Sequence, residues 1–154
     1  MISSILTAAL VDSSFANKYY ELCAKYPLRT SATQKLPNAE ILATLADVGS
    51  VSKLKGPGRV YEISAPRLVE TVDFAFIIQG AGAVIEPCLG LTENGARSGT
   101  NYSVLAFSAN AAQQMPAPTP AYPRPFFHSL WELKEVVSAA FELAVLVGNA
   151  VRRA

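Results

Sequence analysis

The chain has 154 residues, of which 51% are hydrophobic and 16% are charged, and its 13 Lys and Arg residues nearly balance its 12 Asp and Glu residues. This length predicts a single domain over residues 1–154 that builds its core without metals or disulfides. The composition excludes a disordered chain, and the net charge of +1 gives no general attraction to nucleic acid or to an anionic membrane.

The opening residues, MISSILTAAL, have some features of a secretory leader. They lack a positively charged start, however, and Asp12 interrupts the apolar run. No stretch of about 20 apolar residues occurs, so the sequence predicts no membrane-spanning helix. Cys23 and Cys88 are too few for a disulfide-stapled scaffold, and their apolar neighbours are typical of buried free thiols. These observations favour a cytoplasmic protein.

Two helices are predicted near the N-terminus. The first covers residues 13–26, with Asp12 or Ser13 as its cap. Its apolar stripe, at helical spacing, consists of Phe15, Tyr19, Leu22, Cys23 and Tyr26. A polar loop over residues 28–35 separates it from a short second helix that begins at Pro37.

The middle of the chain predicts five strands connected by short turns. They cover residues 51–54, 59–63, 72–78, 83–91 and 101–108, and a polar loop over residues 92–99 precedes the last of them. The third is the clearest, because Val72, Phe74, Phe76 and Ile78 alternate with smaller or polar residues. Pro87 places the fourth strand at an edge or a bulge. Short loops between successive strands predict an antiparallel meander.

The proline-rich segment, residues 115–125, predicts an extended tether that leads to a final helix. Ser129 and Glu132 form a capping box at the start of this helix, which runs to about Arg153. Almost every position between 136 and 151 is apolar, so the helix needs cover on more than one side. The N-terminal helix can supply that cover, and so can a second copy of the chain in a homodimer. The resulting fold class is α+β: an antiparallel sheet of about five strands packed by two N-terminal helices and a long C-terminal helix.

The sequence contains no recognisable catalytic or cofactor motif. His128, the sole histidine, lies just before the last helix, where a capping or packing role is typical. No Cys or His pair has the spacing of metal ligands. Gly80-Ala81-Gly82 follows a strand, but Pro87 prevents the helix that a dinucleotide-binding loop requires. We therefore expect no enzymatic activity, no cofactor and no metal.

Two helices followed by a hairpin with Lys53, Lys55 and Arg59 at its tip have the outline of a winged helix that binds DNA. The second helix, however, carries Glu40 and Asp47 and no basic residue, whereas a recognition helix exposes basic or amide groups. We therefore expect no nucleic-acid partner.

Five carboxylates on or beside the strands are candidates for binding a partner: Glu62, Glu70, Asp73, Glu86 and Glu93. Two interpretations are open. The residues mark the solvent face of a half-covered sheet by ordinary alternation, or they form an acidic surface that complements a basic partner. Arg97, in the polar loop, can add a directed contact at the rim of this surface.

The segment NGARSGTNYSVLA (residues 94–106), followed by Tyr122-Pro123-Arg124-Pro125 and an apolar C-terminal helix, resembles small immunity proteins encoded beside bacterial polymorphic toxins. These include contact-dependent inhibition and Rhs-type systems, and the resemblance covers residues 94–153. It implies a non-enzymatic cytoplasmic protein that binds the C-terminal domain of a cognate toxin and blocks its active site or its access to substrate. A basic nuclease domain would suit the acidic residues by electrostatic steering. No catalytic residues carry over.

A different class of function also fits the sequence: an enzyme or a small-molecule-binding domain with a pocket between the sheet and the last helix. Phe74, Phe76, Tyr102 and Phe107 can line such a pocket. An ordinary core needs the same residues, so a solid core would count against this class.

Overall fold

The computed structural model describes residues 2–29, 36–79 and 83–154. Within these ranges the chain has the predicted α+β class, with five helices and five strands. In chain order they are α1 (Ser4–Asp12), α2 (Phe15–Lys25), α3 (Asn38–Leu45), β1 (Ser50–Lys53), β2 (Arg59–Ser64), β3 (Val72–Gln79), β4 (Val84–Glu93), β5 (Ala96–Asn101), α4 (Tyr102–Ala112) and α5 (Leu130–Arg153). The predicted break at residues 80–82 and most of the predicted loop over residues 28–35 lie outside the described residues.

The strands form one antiparallel sheet in the order β1-β2-β3-β4-β5, so the predicted meander is confirmed. Strands β1 to β4 begin and end close to the predicted positions. Alternate residues of the central strands, among them Tyr61, Phe74 and Phe76, point toward the helices and are fully buried. The core therefore lies between one face of the sheet and the helices.

On the side of β4 that faces away from β3, the neighbouring chain changes near Pro87 from β5 to the segment that contains Pro125. β5 ends at Asn101, opposite Cys88. Two residues before Pro87, the Ile85 N–H instead donates to the carbonyl of Pro125 at 3.1 Å. Because proline has no N–H to give, it fits the gap between these two neighbours. Pro87 therefore lies at a local edge of β4, one of the two positions that the sequence predicts for it.

The predicted fifth strand over residues 101–108 is wrong. The chain turns on Asn94-Gly95, whose φ angles are 51° and 81°, and returns as β5 through the segment predicted to be a polar loop. The Asn101 side chain then accepts a hydrogen bond from the Val104 N–H at 3.0 Å and caps α4. Buried residues at helical spacing follow: Tyr102, Leu105, Ala106 and Ala109.

The first residues form α1, a helix that was not predicted. Its cap is Ser3, whose hydroxyl accepts a hydrogen bond from the backbone of the first turn at 3.1 Å. The predicted cap of the next helix at Asp12 or Ser13 is wrong, because Asp12 ends α1 and Ser13 donates back to α1. Ser14, with φ of 56°, makes the corner before α2.

α5 begins as the capping box predicts, with one difference. The Ser129 hydroxyl accepts a hydrogen bond from the Glu132 N–H at 3.1 Å. The Glu132 carboxylate reaches back to the His128 N–H at 2.9 Å, one residue before the N–H that a standard capping box uses. The helix start is thus held by two reciprocal hydrogen bonds.

The apolar surface of α5 is covered within the chain. The helix packs on β3 and β4 and also contacts α1, α2 and α3. The N-terminal helices therefore supply the second cover, and the composition of α5 requires no second copy; a homodimer stays a prediction. Among the described residues, none of the helices combines the length and the apolar character that crossing a bilayer takes.

Candidate functional site

One face of the sheet points away from the helices, and we refer to it as the open face. Its residues alternate with the buried ones along each strand. They include Val60, Glu62, Asp73, Ala75, Ile77, Gln79, Val84, Glu86, Cys88, Gly90 and Arg97. All of these except Gly90 are half-buried or exposed. The open face is therefore the large surface of the sheet that reaches solvent.

Two short rows of side chains cross the open face. In one, Glu62 is opposite Ala75, and Ala75 is opposite Cys88. In the other, Val60 is opposite Ile77, which is opposite Glu86. Apolar side chains thus occupy the middle of the face. Glu62 lies at the β2 end of one row, and Glu86 lies at the β4 end of the other. A partly apolar patch with a polar rim is the usual composition of a protein–protein interface.

Arg97 lies flat across the open face and bridges two strands. Its guanidinium donates two hydrogen bonds of 2.8 Å to the Asp73 carboxylate, which raises the pKa of Arg97 further above its ordinary value. To reach β3 it passes over Gly90 in β4, where a Cβ would lie 2.3 Å from a guanidinium nitrogen. The glycine therefore makes room for a fixed, half-exposed cation.

Three of the predicted carboxylates line one cavity of about 480 Å³ at the end of the open face: Glu62, Glu70 and Asp73. Its remaining walls are mainly the backbone and apolar side chains that lead from β2 to β3, and Arg152 from the end of α5 also contributes. In the described part of the chain, Glu62 and Glu70 form no ion pair, whereas Asp73 is paired with Arg97. The structure thus brings together three of the five carboxylates, with Arg97 beside them.

The other two predicted carboxylates lie elsewhere. Glu86 is on the open face and accepts a 2.8 Å hydrogen bond from the Gln79 side chain, whose amide oxygen accepts a hydrogen bond from Arg124. Glu93 points to the helix side of the sheet and accepts a 2.5 Å hydrogen bond from the Ser3 hydroxyl. The sequence pattern did not identify Gln79 or Arg124, because only the strand register and the course of the proline-rich segment bring them beside Glu86.

The space between the sheet and α5 is filled by the aromatic residues that the alternative function would place around a pocket. The Phe74 ring is edge-on to Phe141 with centroids 5.4 Å apart, and it also contacts Tyr102. The Tyr102 hydroxyl donates a 2.6 Å hydrogen bond to the Ala140 carbonyl. Phe107 lies outside this cluster. The observed packing is that of a solid core.

The contacts of His128 and the burial of the two cysteines are typical of residues that stabilise a fold. The Nε2 atom of His128 lies 3.2 Å from the Arg29 backbone nitrogen, and its Nδ1 atom lies 3.3 Å from the Glu132 carboxylate. Both cysteines are free, and burial raises the pKa of Cys23 to about 12 and that of Cys88 to about 11. Both thiols are therefore protonated at neutral pH and are poor nucleophiles.

Within residues 2–29, 36–79 and 83–154, no group of three or more His, Cys, Asp or Glu side chains is placed to hold a metal ion. Comparisons of the chain with protein-family models, with curated proteins and with solved structures found no match.

Proposed function

We propose that the chain is a non-enzymatic immunity protein that binds the C-terminal domain of a bacterial toxin through the open face. One observation carries this proposal. The helices cover one face of the sheet, whereas the other presents apolar side chains rimmed by carboxylates and a fixed arginine. A surface of this kind needs no further chemistry to act, because occupying the toxin's active site or its route to substrate is enough.

The acidic end of the open face supports a basic partner. Glu62 and Glu70 form no ion pair in the described part of the chain, so their charges are available to a partner. Opposite charges across an interface accelerate the encounter of two proteins and suppress wrong partners. Toxin domains that cleave nucleic acid need basic surfaces, so a nuclease domain is the partner that this charge favours.

Arg97 supports a directed contact within the same surface. Its two hydrogen bonds to Asp73 fix the guanidinium before any partner arrives, so less side-chain freedom is lost on binding. Arginine beside apolar side chains is common among the residues that dominate binding energy in interfaces. In this proposal Asp73 therefore acts by positioning Arg97, and Glu62 and Glu70 supply the free negative charge.

The proposed activity takes place in the cytoplasm and needs no cofactor. Its test is co-expression with the protein encoded immediately upstream, using the C-terminal domain of that protein. We expect this domain to be toxic alone, to be tolerated when the chain is present, and to co-purify with it. Toxicity that persists in the presence of the soluble chain would contradict the proposal.

The electrostatic part has its own measurement. The association rate of the two purified proteins is expected to fall as the salt concentration rises from about 50 mM to about 500 mM, because the Debye length shrinks over this range. A rate that does not change with salt would exclude the acidic end of the open face as a steering surface.

A further inference from the structure

A second cavity lies between α2 and the proline-rich segment, and we refer to it as the α2 cavity. Its volume is about 570 Å³. The apolar and aromatic residues that line it include Tyr20, Cys23, Leu28, Pro120, Tyr122 and Phe126. Sites for small molecules typically have volumes of about 300–1,000 Å³ and mainly apolar walls. The α2 cavity has this size and composition, and it is separate from the filled space under α5.

The proline-rich wall of the α2 cavity is held in place by the rest of the fold. The Tyr19 hydroxyl donates a 2.7 Å hydrogen bond to the Pro123 carbonyl. The Tyr122 ring stacks on Phe107 of α4, with centroids 5.1 Å apart. Prolines in this wall carry no N–H, so the wall offers few donors of its own. The cavity is thus preformed, and a ligand does not have to order its wall.

A cation in its lining gives the α2 cavity a chemical preference. Arg124 is the charged residue among the described residues that line it. One guanidinium N–H donates to the Gln79 amide oxygen, which leaves other donors for a ligand. A guanidinium fork matches a carboxylate geometrically as well as electrically. At the rim, Leu28 and Tyr122 are 55% and 52% exposed, so both offer apolar surface that a ligand can cover.

We propose that the α2 cavity binds a small aromatic carboxylate. Its ring packs against Tyr122 and Leu28, and its carboxylate accepts hydrogen bonds from Arg124. The positive charge beside an apolar wall selects an anion over a neutral molecule of the same shape. Arg124 is linked through Gln79 to Glu86 of the open face, but no carboxylate is among the described residues that line the α2 cavity. The tests use small-molecule probes and no toxin domain, so their outcome is independent of the proposed function.

The first test compares two probes of equal shape, 2-naphthoate and the neutral 2-naphthalenemethanol. Each displaces the aromatic anion 8-anilinonaphthalene-1-sulfonate from the purified full chain, followed by fluorescence. We expect saturable binding of one dye per chain, and displacement by 2-naphthoate at an about tenfold lower concentration than by the alcohol, as one charge-assisted contact provides. Absence of saturable dye binding, or equal displacement by both probes, would overturn the proposal.

The second test locates the binding with exposed residues that tolerate substitution. Leu28→Lys and Leu28→Glu both replace the leucine that packs against the ring, but they place opposite charges there. We therefore expect Leu28→Lys to bind 2-naphthoate about tenfold more tightly than Leu28→Glu. Arg124→Leu is expected to remove the preference for the anion. Arg152→Leu, at the far end of α5, is the control and leaves the preference unchanged. Equal effects of the two arginine substitutions, or none from either Leu28 variant, would place the dye outside the α2 cavity.

Discussion

The two faces of the sheet are built from alternate residues of the same strands, yet they serve different purposes. On the covered face, Phe74 and Phe76 are fully buried and contact other aromatic rings. On the open face, the intervening positions carry Ala75 and Ile77, which are half-buried and have charged residues nearby. The comparison separates the side chains that make the fold from those that the fold leaves available for binding.

The largest expected difference between the faces is in stability. Phe74→Ala removes a ring that packs in the centre of the core, so we expect the free energy of unfolding to fall by about 3–5 kcal/mol. Ile77→Ala, on the other side of the same strand, is expected to cost about 1 kcal/mol. Urea unfolding of both variants measures this difference. Losses of similar size would mean that the open face is covered in the free protein.

Two glycines that are paired across β4 and β5 sharpen the comparison within the open face. Gly99 has φ of 144°, and a Cβ there would lie 2.1 Å from the Leu89 carbonyl oxygen, so Gly99→Ala is expected to cost about 2–3 kcal/mol. At Gly90 the three atoms nearest to a Cβ all belong to the flexible end of the Arg97 side chain. Gly90→Ala therefore displaces Arg97 and breaks its contact with Asp73, at a cost of about 1 kcal/mol or less.

Thermal or urea unfolding distinguishes these two glycine variants, and binding to the partner gives a second measurement. Gly90→Ala is expected to weaken binding although it barely changes stability, because it moves Arg97. If Gly90→Ala destabilised the protein as much as Gly99→Ala, Arg97 would be part of the fold and not a residue held for binding.

The two cysteines lie on different sides of the sheet, so the rates at which a thiol reagent modifies them compare how accessible the two sides are. Cys23 is buried in α2, and Cys88 is half-buried on the open face. Burial raises the pKa of both thiols, so little thiolate is present at pH 8 in either case. Because Cys88 is the more accessible of the two, we expect a thiol reagent to modify Cys88 faster than Cys23. Single-cysteine variants, Cys23→Ala and Cys88→Ala, allow each rate to be measured; faster modification of Cys23 would contradict the account.

The smallest expected effect is a loss of stability at acidic pH. Arg29 and the hydrogen bonds from His128 hold the pKa of Glu132 below its ordinary value of 4.5. Because the pKa is lower in the folded state, the Glu132 carboxylate contributes stability above that ordinary value and loses its contribution as the pH falls through the folded-state pKa. Arg29 is about half exposed, so we expect Glu132→Gln to cost less than about 1 kcal/mol at pH 7.

Urea unfolding of the parent chain and of Glu132→Gln, at steps from about pH 7 to about pH 3, tests the sign of this linkage. The gap in stability between them is expected to close as the pH is lowered. A gap of constant size would show that the carboxylate contributes by its shape and not by its charge.

Local patterns predicted much of this fold because local forces determine it. The alternation of β3 and the cap of α5 depend on residues that are close in sequence, and the structure contains both. The prediction of a strand over residues 101–108 is wrong because its two aromatic residues and Val104 suit a strand. The tight Asn94-Gly95 turn and the Asn101 cap instead determine where the strand lies and where the helix begins. α1 was missed because its short apolar run lacks a clear helical stripe.

The candidate site was less predictable, because the pairing register of the strands determines which of its residues lie together, and local sequence patterns do not give that register. Glu62, Glu70 and Asp73 were identified by type, but their common cavity follows from the pairing of β2 with β3. Glu93 has the same charge and points the other way, since it is one residue out of phase with the open face. No local signal in the sequence indicates that the side chain of Arg97, in β5, passes over Gly90, in β4.

The central claim is that the open face binds the partner, and paired charge reversals test it most directly. The measurement is the affinity for the toxin domain of a Glu62→Lys and Glu70→Lys double variant, compared with Glu21→Lys, an exposed charge reversal on α2. We predict that the double variant remains folded and loses binding by about a hundredfold or more, whereas Glu21→Lys binds like the parent chain. Undiminished binding by the double variant, or loss only with Glu21→Lys, would contradict the account.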